Sequence, residues 1–256
     1  MPAVQSEDVE TIKIETALNE FEMKRTASGW TVGDKVADSS RINSFLDSLS
    51  AVDIKGPVGT SEKNYGRFSV DKASGTDVTI LGSGDKELLR MIIGKAGSDY
   101  GSTYFRPYGG KNVYTARSSW STSVFKTIND WRDKTVWSFD KGEVKKIVVK
   151  KGWKTYQASF SEEKWIIEYN GQTKTAENLG DKVLSMSASG FSDEDIVLDD
   201  LIVFYGEGDT ELLAFNVGSD DTTYYISNDS LGDKFKFSKS AFEQFWLPAV
   251  FEKIKE

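Results

Sequence analysis

Apolar and polar positions first follow a strand-like pattern. Val9, Ile12 and Ile14 open it, and Phe21, Met23 and Gly29-Trp30-Thr31-Val32 supply further extended pieces. Turn candidates at Asn19-Glu20 and Ala27-Ser28-Gly29 separate them. The period then changes. Ile42, Phe45, Leu46 and Leu49 fall at i, i+3, i+4 and i+7, which predicts a helix with one apolar stripe, capped by Asp38 or Ser39. A loop from Gly56-Pro57 to about Lys63 leads to Tyr65-Gly66-Arg67-Phe68. The segment GSGDKELLRMIIG, Gly82 to Gly94, has strand-length apolar runs on both sides and predicts a β-hairpin whose glycines take φ > 0. Strands around Ser102–Tyr108 and Lys111–Ala116 follow. A helix over about Ser121–Asp133, with Val124, Phe125, Ile128 and Trp131 on one side, closes a first unit.

The same order then returns. GEGDTELLAFNVG, Gly206 to Gly218, repeats the hairpin 124 positions later with seven of thirteen residues identical. Val144, Ile147 and Val149 stand 135 positions after Val9, Ile12 and Ile14, and Trp165 stands 135 after Trp30. A helix is predicted over TAENLGDKVLSMSA, with Leu179, Val183 and Met186 as counterparts of Ile42, Leu46 and Leu49. The loop with Tyr65 and Gly66 has no counterpart. Thr223-Tyr224-Tyr225 echoes Thr103-Tyr104-Phe105, and a last helix on Phe242, Phe245 and Trp246 is expected to break at Pro248 and resume to Ile254. The pattern argues an α+β fold: a tandem duplication of a β-rich unit, each an antiparallel sheet with two covering helices, as two lobes packed together. The expected domains are residues 1–140 and 141–256, divided near Asp140-Lys141-Gly142 without a long linker. The expected core comprises Trp30, Ile42, Leu46, Leu49, Leu88, Ile92, Trp165, Leu179, Val183, Leu212 and Phe215.

Composition narrows the chemistry. A formal charge of −8 argues against nonspecific nucleic-acid binding, which depends on Lys and Arg neutralising phosphates. The absence of Cys removes disulfides and thiol chemistry, and the absence of His removes the commonest general base and metal ligand. No run of about eighteen apolar residues is present to span a membrane. The first ten residues, MPAVQSEDVE, lack the basic and apolar regions of a signal peptide and read as a short polar tail.

Each candidate motif has a plain structural reading beside the functional one. Gly82-Ser83-Gly84 joins strand to strand and lacks the Lys-Ser/Thr of a phosphate loop, so it reads as a hairpin turn. The acidic run Ser192-Asp193-Glu194-Asp195 with Asp199 and Asp200 lacks the pattern of a calcium loop and reads as a solvated loop. Paired carboxylates for glycoside hydrolysis cannot be located among 40 acids, and no Gly-x-Ser-x-Gly elbow occurs. Lys141, Lys145, Lys146, Lys150, Lys151 and Lys154 suit an anionic lipid or acidic partner, but a charged edge strand that resists aggregation is the preferred reading. Asn228-Asp229-Ser230 fits a glycosylation acceptor and reads as a turn. Tyr104, Arg106 and Tyr108 alternate onto one face opposite Phe105, and these residue types concentrate binding energy at interfaces. They are the candidate partner-binding residues, although tyrosines there also serve simply to cover the sheet.

The segments GWTV and KWII, the helix ADSSRINSFLDSL, YGRF, the hairpin VTILGSGDKELLRMIIGK, STYFRPYGGKNVY, and INDWRDKTVWSFDKGEVKKIVV at the junction together resemble the bacterial domain-of-unknown-function family 4340. The resemblance runs from about Val9 through essentially the whole chain, and the junction is its most specific part. It implies an N-terminal membrane-anchoring helix in relatives, a domain on the extracytoplasmic (periplasmic) side, and an auxiliary role in gliding-motility-type ABC transport systems. It supplies no catalytic residues. This sequence lacks that anchor, so it is expected to be either a trimmed form of an anchored parent or a soluble member. The leading expectation is a non-enzymatic binding or scaffolding domain in a membrane transport complex, with no metal or organic cofactor. The alternatives are a carbohydrate- or lipid-binding module and, third, a carboxylate-based hydrolase.

Overall fold

The computed structural model describes residues 4–99, 101–124, 127–177, 179–228 and 232–254. Phe125, Asn178 of the segment TAENLGDKVLSMSA, Asp229 and Ser230, which entered the sequence reading, lie outside them. The chain forms two compact units, Met1–Asp133 and Lys134–Glu256. The division falls upstream of the expected Asp140-Lys141-Gly142 because Thr135–Ser138 pairs with Ser185–Ser187 of the second unit.

In the first unit the chain runs β1 (Thr11–Glu15), β2 (Glu20–Thr26), β3 (Gly29–Val32), β4 (Lys35–Val36), α1 (Ser39–Ser50), β5 (Ile54–Gly59), α2 (Tyr65–Phe68), β6 (Thr76–Gly82), β7 (Lys86–Ala96), β8 (Thr103–Pro107), β9 (Val113–Ala116), α3 (Trp120–Val124) and α4 (Ile128–Trp131). Nine strands make one antiparallel sheet, ordered β4-β3-β2-β1-β6-β7-β8-β9-β5. The second unit runs β10 (Thr135–Ser138), β11 (Lys146–Lys151), β12 (Lys154–Ser161), β13 (Lys164–Tyr169), β14 (Gln172–Thr175), α5 (Gly180–Leu184), β15 (Ser185–Ser187), β16 (Gly190–Phe191), β17 (Asp200–Tyr205), β18 (Glu211–Ser219), β19 (Thr223–Ser227), β20 (Lys234–Ser238), α6 (Lys239–Phe242) and α7 (Leu247–Lys253). Its large sheet is also antiparallel, β14-β13-β12-β11-β17-β18-β19-β20-β16. Leaving out the separate β10–β15 ribbon, strand follows strand in the same order in both sheets.

α1 forms where the apolar stripe predicts it. Asp38 caps it, its Oδ1 accepting from the Arg41 N–H at 3.0 Å, and Ile42, Phe45, Leu46 and Leu49 are all buried. Burial works against the charge on Asp38, but hydrogen bonds from Ser40 and Arg41 outweigh it and hold the carboxyl below its ordinary range. The other helices are shorter than expected. The stretch expected to be one helix to Asp133 is two short pieces, α3 and α4, and Pro248 opens α7 rather than interrupting a helix. The helix expected over TAENLGDKVLSMSA is confined to Gly180–Leu184. Met186 lies in β15, where pairing with Trp137 of β10 wins over the weak helix propensity of Ser-Met-Ser.

The repeated hairpin has a definite geometry. Gly84 and Asp85, like Gly208 and Asp209, adopt left-handed conformations with φ between 59° and 64°. Gly82 and Gly206, expected to do the same, have φ of −102° and −90°. Their lack of a side chain serves packing instead. Each ladder shifts register after the turn, leaving Leu88 between the Ile80–Leu89 and Leu81–Glu87 pairs, and Leu212 between Phe204–Leu213 and Tyr205–Glu211. The bulged leucine folds over the glycine: a Cβ on Gly82 would lie 3.2 Å from Leu88, and one on Gly206 3.2 Å from Leu212. Leu88 and Leu212 are therefore half-buried rather than central, and Leu89 takes the core position in the first unit.

Two separate clusters form the cores. One holds Ile12, Trp30, Leu46, Met91 and Phe105, and the other Ile147, Trp165, Phe204, Phe215 and Phe242. Ile92, expected in the main core, points to the opposite face, into a small cluster with Phe68, Val70 and Val113. The lysine-rich β11, expected at an edge, lies between β12 and β17. Its charges mark the outward face of an internal strand, because Ile147 and Val149 alternate into the core.

Candidate functional site

The outward face of the first sheet is partly covered by the chain between β5 and β6, which carries α2. Gly94 makes this possible: a Cβ there would sit 2.2 Å from the Phe68 carbonyl oxygen. Gly218 plays the same part in the second unit, 2.2 Å from the Val197 carbonyl oxygen. The third glycine of the repeated motif thus lets a segment of backbone cross the sheet at contact distance.

Tyr104 and Arg106 hold that covering segment down. The Tyr104 ring packs on Phe68 at 4.8 Å, and the Arg106 guanidinium lies 4.4 Å from the Tyr65 ring centre. Arg106 donates from Nε and Nη2 to the Val70 carbonyl at 3.3 Å, and from Nη1 to the Gly110 carbonyl at 3.0 Å. Phe105 is buried on the opposite side, in the main core, as alternation predicts. Tyr108 follows the end of β8 and is 53% exposed. The three candidates therefore share a face, two as fasteners of the covering segment and the third as open surface.

Beside them lies a cleft of about 530 Å³ bounded by Glu15, Asp71, Asp77, Arg90, Arg106 and Tyr108. Arg90 on β7 organises it. It donates to both oxygens of Asp77, Nε to Oδ1 at 3.1 Å and Nη2 to Oδ2 at 2.8 Å, and its guanidinium lies 3.6 Å from the centre of the Tyr108 ring. Asp71 caps the turn after it, accepting from the Ala73 and Ser74 N–H groups at 2.9 Å and from Ser74 Oγ at 2.8 Å. Burial opposes its charge, yet these bonds keep its carboxyl below the ordinary range. The cleft thus presents fixed charges and one aromatic face. Asp77 is tied bidentately by Arg90, and the lowered Asp71 carboxyl is shifted in the opposite direction from the raised acid of a glycosidase. Arg90 and Asp77 did not emerge from sequence reading. The offset of 124 could have found them, since it sets Arg90 against Ala214 and Asp77 against Leu201.

The second unit uses its face differently. β18 and β19 set Ser227 opposite Asn216, where β7 and β8 set Arg106 opposite Ile92. The same ladders put Tyr225, rather than Tyr224, in the place of Tyr104. The Tyr225 hydroxyl donates to Asp220 Oδ2 at 2.8 Å and Glu194 Oε2 at 2.9 Å, so part of the acidic run is tied to the sheet. Among the described residues no group of three or more acids is placed to hold a metal. The hydrogen bond to Asp220, burial and the bond to Glu194 together push the Tyr225 phenol up to about 12. A tyrosine's unfolded value is about 10, so this contribution is complete below pH ~10 and lost as pH rises toward 12. Tyr156, likewise pushed up to about 12 by burial, acts with the same sign. Tyr225→Phe is expected to flatten the fall in urea-denaturation stability between pH 10 and 12; an unchanged slope would mean that the hydroxyl is not held.

Two further surface features stand at corresponding hairpin tips. Leu18, between β1 and β2, is 91% exposed, and Trp153, between β11 and β12 beside Lys151 and Lys154, is 87% exposed. No helix among the described residues is long and apolar enough to cross a membrane.

Fold and site together define an α+β protein with two large antiparallel sheets and a charged, aromatic-rimmed cleft. The family model for a domain of unknown function, DUF4340, matches residues 30–200, and the chain belongs to that family. Comparison with curated proteins and with solved structures found no match.

Proposed function

We propose that this chain is a non-enzymatic binding domain that serves a membrane transport complex from the extracytoplasmic side. The observation that carries the binding role is the Arg90–Tyr108 stack. An exposed tyrosine is held in one orientation by a guanidinium that is itself fixed on Asp77. A preorganised Arg–Tyr pair loses little freedom on docking, and such residues dominate interface energetics. The compartment and the ABC transport complex rest on the family resemblance of the junction and hairpin motifs. A second reading, a lipid-binding module, is favoured by the exposed Trp153 among lysines. We also read the two units as a tandem duplication. The matching strand order and the shared bulge at Leu88 and Leu212 support it, and superposition over all nine strands is the check.

The test is photocrosslinking in native membranes with a reactive residue at position 108. The expected adduct is a protein of the transport complex, and Arg90→Ala should weaken capture ~5–30-fold, as for an interface hot spot of about 1–2 kcal/mol. Adduct formation that ignores Arg90→Ala would overturn the reading. Label placed at position 153 that captures lipid while position 108 captures nothing would favour the second one.

A further inference from the structure

The second unit contains a cleft at the position where the first unit lays an arginine across its tryptophan. The ladders make the comparison strict. Arg25 pairs with Trp30 across β2 and β3, and its N–H donates to the Glu10 carbonyl at 2.8 Å. Phe160 pairs with Trp165 across β12 and β13, and its N–H donates to the Lys145 carbonyl at 2.9 Å. Arg25 and Phe160 therefore occupy one position, 135 residues apart, as do Trp30 and Trp165.

What the two side chains do there differs. The Arg25 guanidinium lies 4.6 Å from the Trp30 ring centre, donates from Nε to the Val9 carbonyl at 2.8 Å and from Nη2 to the Ser6 carbonyl at 2.7 Å. This exposed side chain thus bridges that tryptophan and the chain leading into β1. Phe160 tilts against Trp165 at 5.4 Å and carries no donor. Beside it lies a cleft of about 560 Å³ with apolar walls from Val144, Phe160, Trp165, Val183 and Leu184. That volume lies within the range of small-ligand pockets. The chain beside it supplies Lys141 and Val144, the counterparts of Ser6 and Val9. Among the described residues, no hydrogen bond ends on the carbonyl oxygen of either one. The rim also changes: Glu163 stands where the first unit has Ser28, adding a carboxylate at the cleft.

We propose that this cleft binds a guanidinium group supplied by another molecule, in the position that Arg25 fills in the first unit. The half-buried Phe160 ring and the edge of the buried Trp165 give the cleft aromatic walls for a cation, the carbonyls of Lys141 and Val144 offer acceptors, and Glu163 offers the opposite charge. Lys141 is exposed, and its ammonium works against the bound cation from the rim. The guanidinium arrives either on a free small molecule or as an arginine of a polypeptide. The site is separate from the Arg90–Tyr108 cleft and does not depend on the function proposed for it.

The experiment is an NMR titration of the full chain, reading the indole N–H signals of Trp165 and Trp30. The probes are methylguanidinium and an acetylated, amidated Gly-Arg-Gly peptide. The expected result is a saturable shift at Trp165 and none at Trp30, with a dissociation constant on the order of millimolar for so small a ligand. Tighter binding of the peptide assigns a polypeptide source, and equal binding a free cation; both support the site. Glu163→Gln should weaken binding ~2–5-fold and Lys141→Gln should strengthen it, as expected for rim charges. Phe160→Arg should abolish it by filling the cleft from within. No shift at Trp165 into the tens of millimolar, the opposite order for the two rim variants, or undiminished binding by a folded Phe160→Arg protein would each overturn the proposal. Because the rim variants alter only exposed side chains, the test stands even if Phe160→Arg does not fold.

Discussion

Phe242→Ala is expected to cost about 3–5 kcal/mol, the range for emptying a buried aromatic site. Phe242 is fully buried, stacked on Tyr224 at 4.4 Å and edge-on to Phe245 at 4.6 Å, with Phe237 and Trp246 at 5.3 and 5.4 Å. Each aromatic pair adds roughly 0.5–1.5 kcal/mol beyond its buried area, so one truncation removes several favourable geometries at once. Collapse into the space is hindered at both ends of the segment. Ser238 Oγ caps α6 by accepting from the Ala241 N–H, and Leu247-Pro248, both buried, begin α7 after a four-residue connection. Urea denaturation followed by tryptophan fluorescence is the measurement. A loss under about 2 kcal/mol would show that neighbouring rings refill the site.

How much of this was legible in the sequence depends on the kind of interaction. The α1 stripe was legible because a period of 3.6 is a property of consecutive residues, and its cap and all four buried positions follow from it. The hairpins were legible from their glycines, but the bulge was not. Glu-Leu-Leu reads as plain strand, and only the ladder shows that Leu88 is the extra residue and that Gly82 is bare to receive it. The segment after Leu184 reads as helix because Met186 sits at helical spacing from Val183, while the partner that makes it a strand, Trp137, lies far away along the chain. Non-local pairing overrides local period in such short pieces.

The site was legible by residue type and not by role. Alternation placed Tyr104, Arg106 and Tyr108 on one face and Phe105 on the other, as found. It could not show that Val70 and Gly110 carbonyls would occupy Arg106, because those acceptors belong to loops whose path the sequence does not encode locally. Nor could it single out Arg90 from the other basic residues without the long-range partner Asp77. Charge on β11 misled for a related reason: lysine density reports solvent exposure, and an internal strand exposes one face as readily as an edge strand does.

Leu46→Ala should bring a loss of about 2–5 kcal/mol, toward the upper part of that range. The cost of such a truncation depends on whether the surroundings can move in, and α1 is fastened along its length. Asp38 caps its start, and the Asp38 N–H donates to the Trp131 carbonyl at 2.8 Å. Near its end, Ser48 Oγ accepts from the Trp120 indole at 2.9 Å, and the Ser50 hydroxyl donates to the Val4 carbonyl. A helix fixed at these points cannot slide to close a cavity beneath Leu46, which is fully buried between Ile42, Phe45 and Leu49 in the first core. The counterpart Val183 sits on the five-residue α5 and loses fewer atoms on truncation, so Val183→Ala should cost less. Hydrogen exchange supplies the discriminating readout. Leu46→Ala should lower protection in β1, β6 and β7, the central strands of its own sheet, whereas a stability loss below about 1 kcal/mol would mean that α1 does not pack on that core as described.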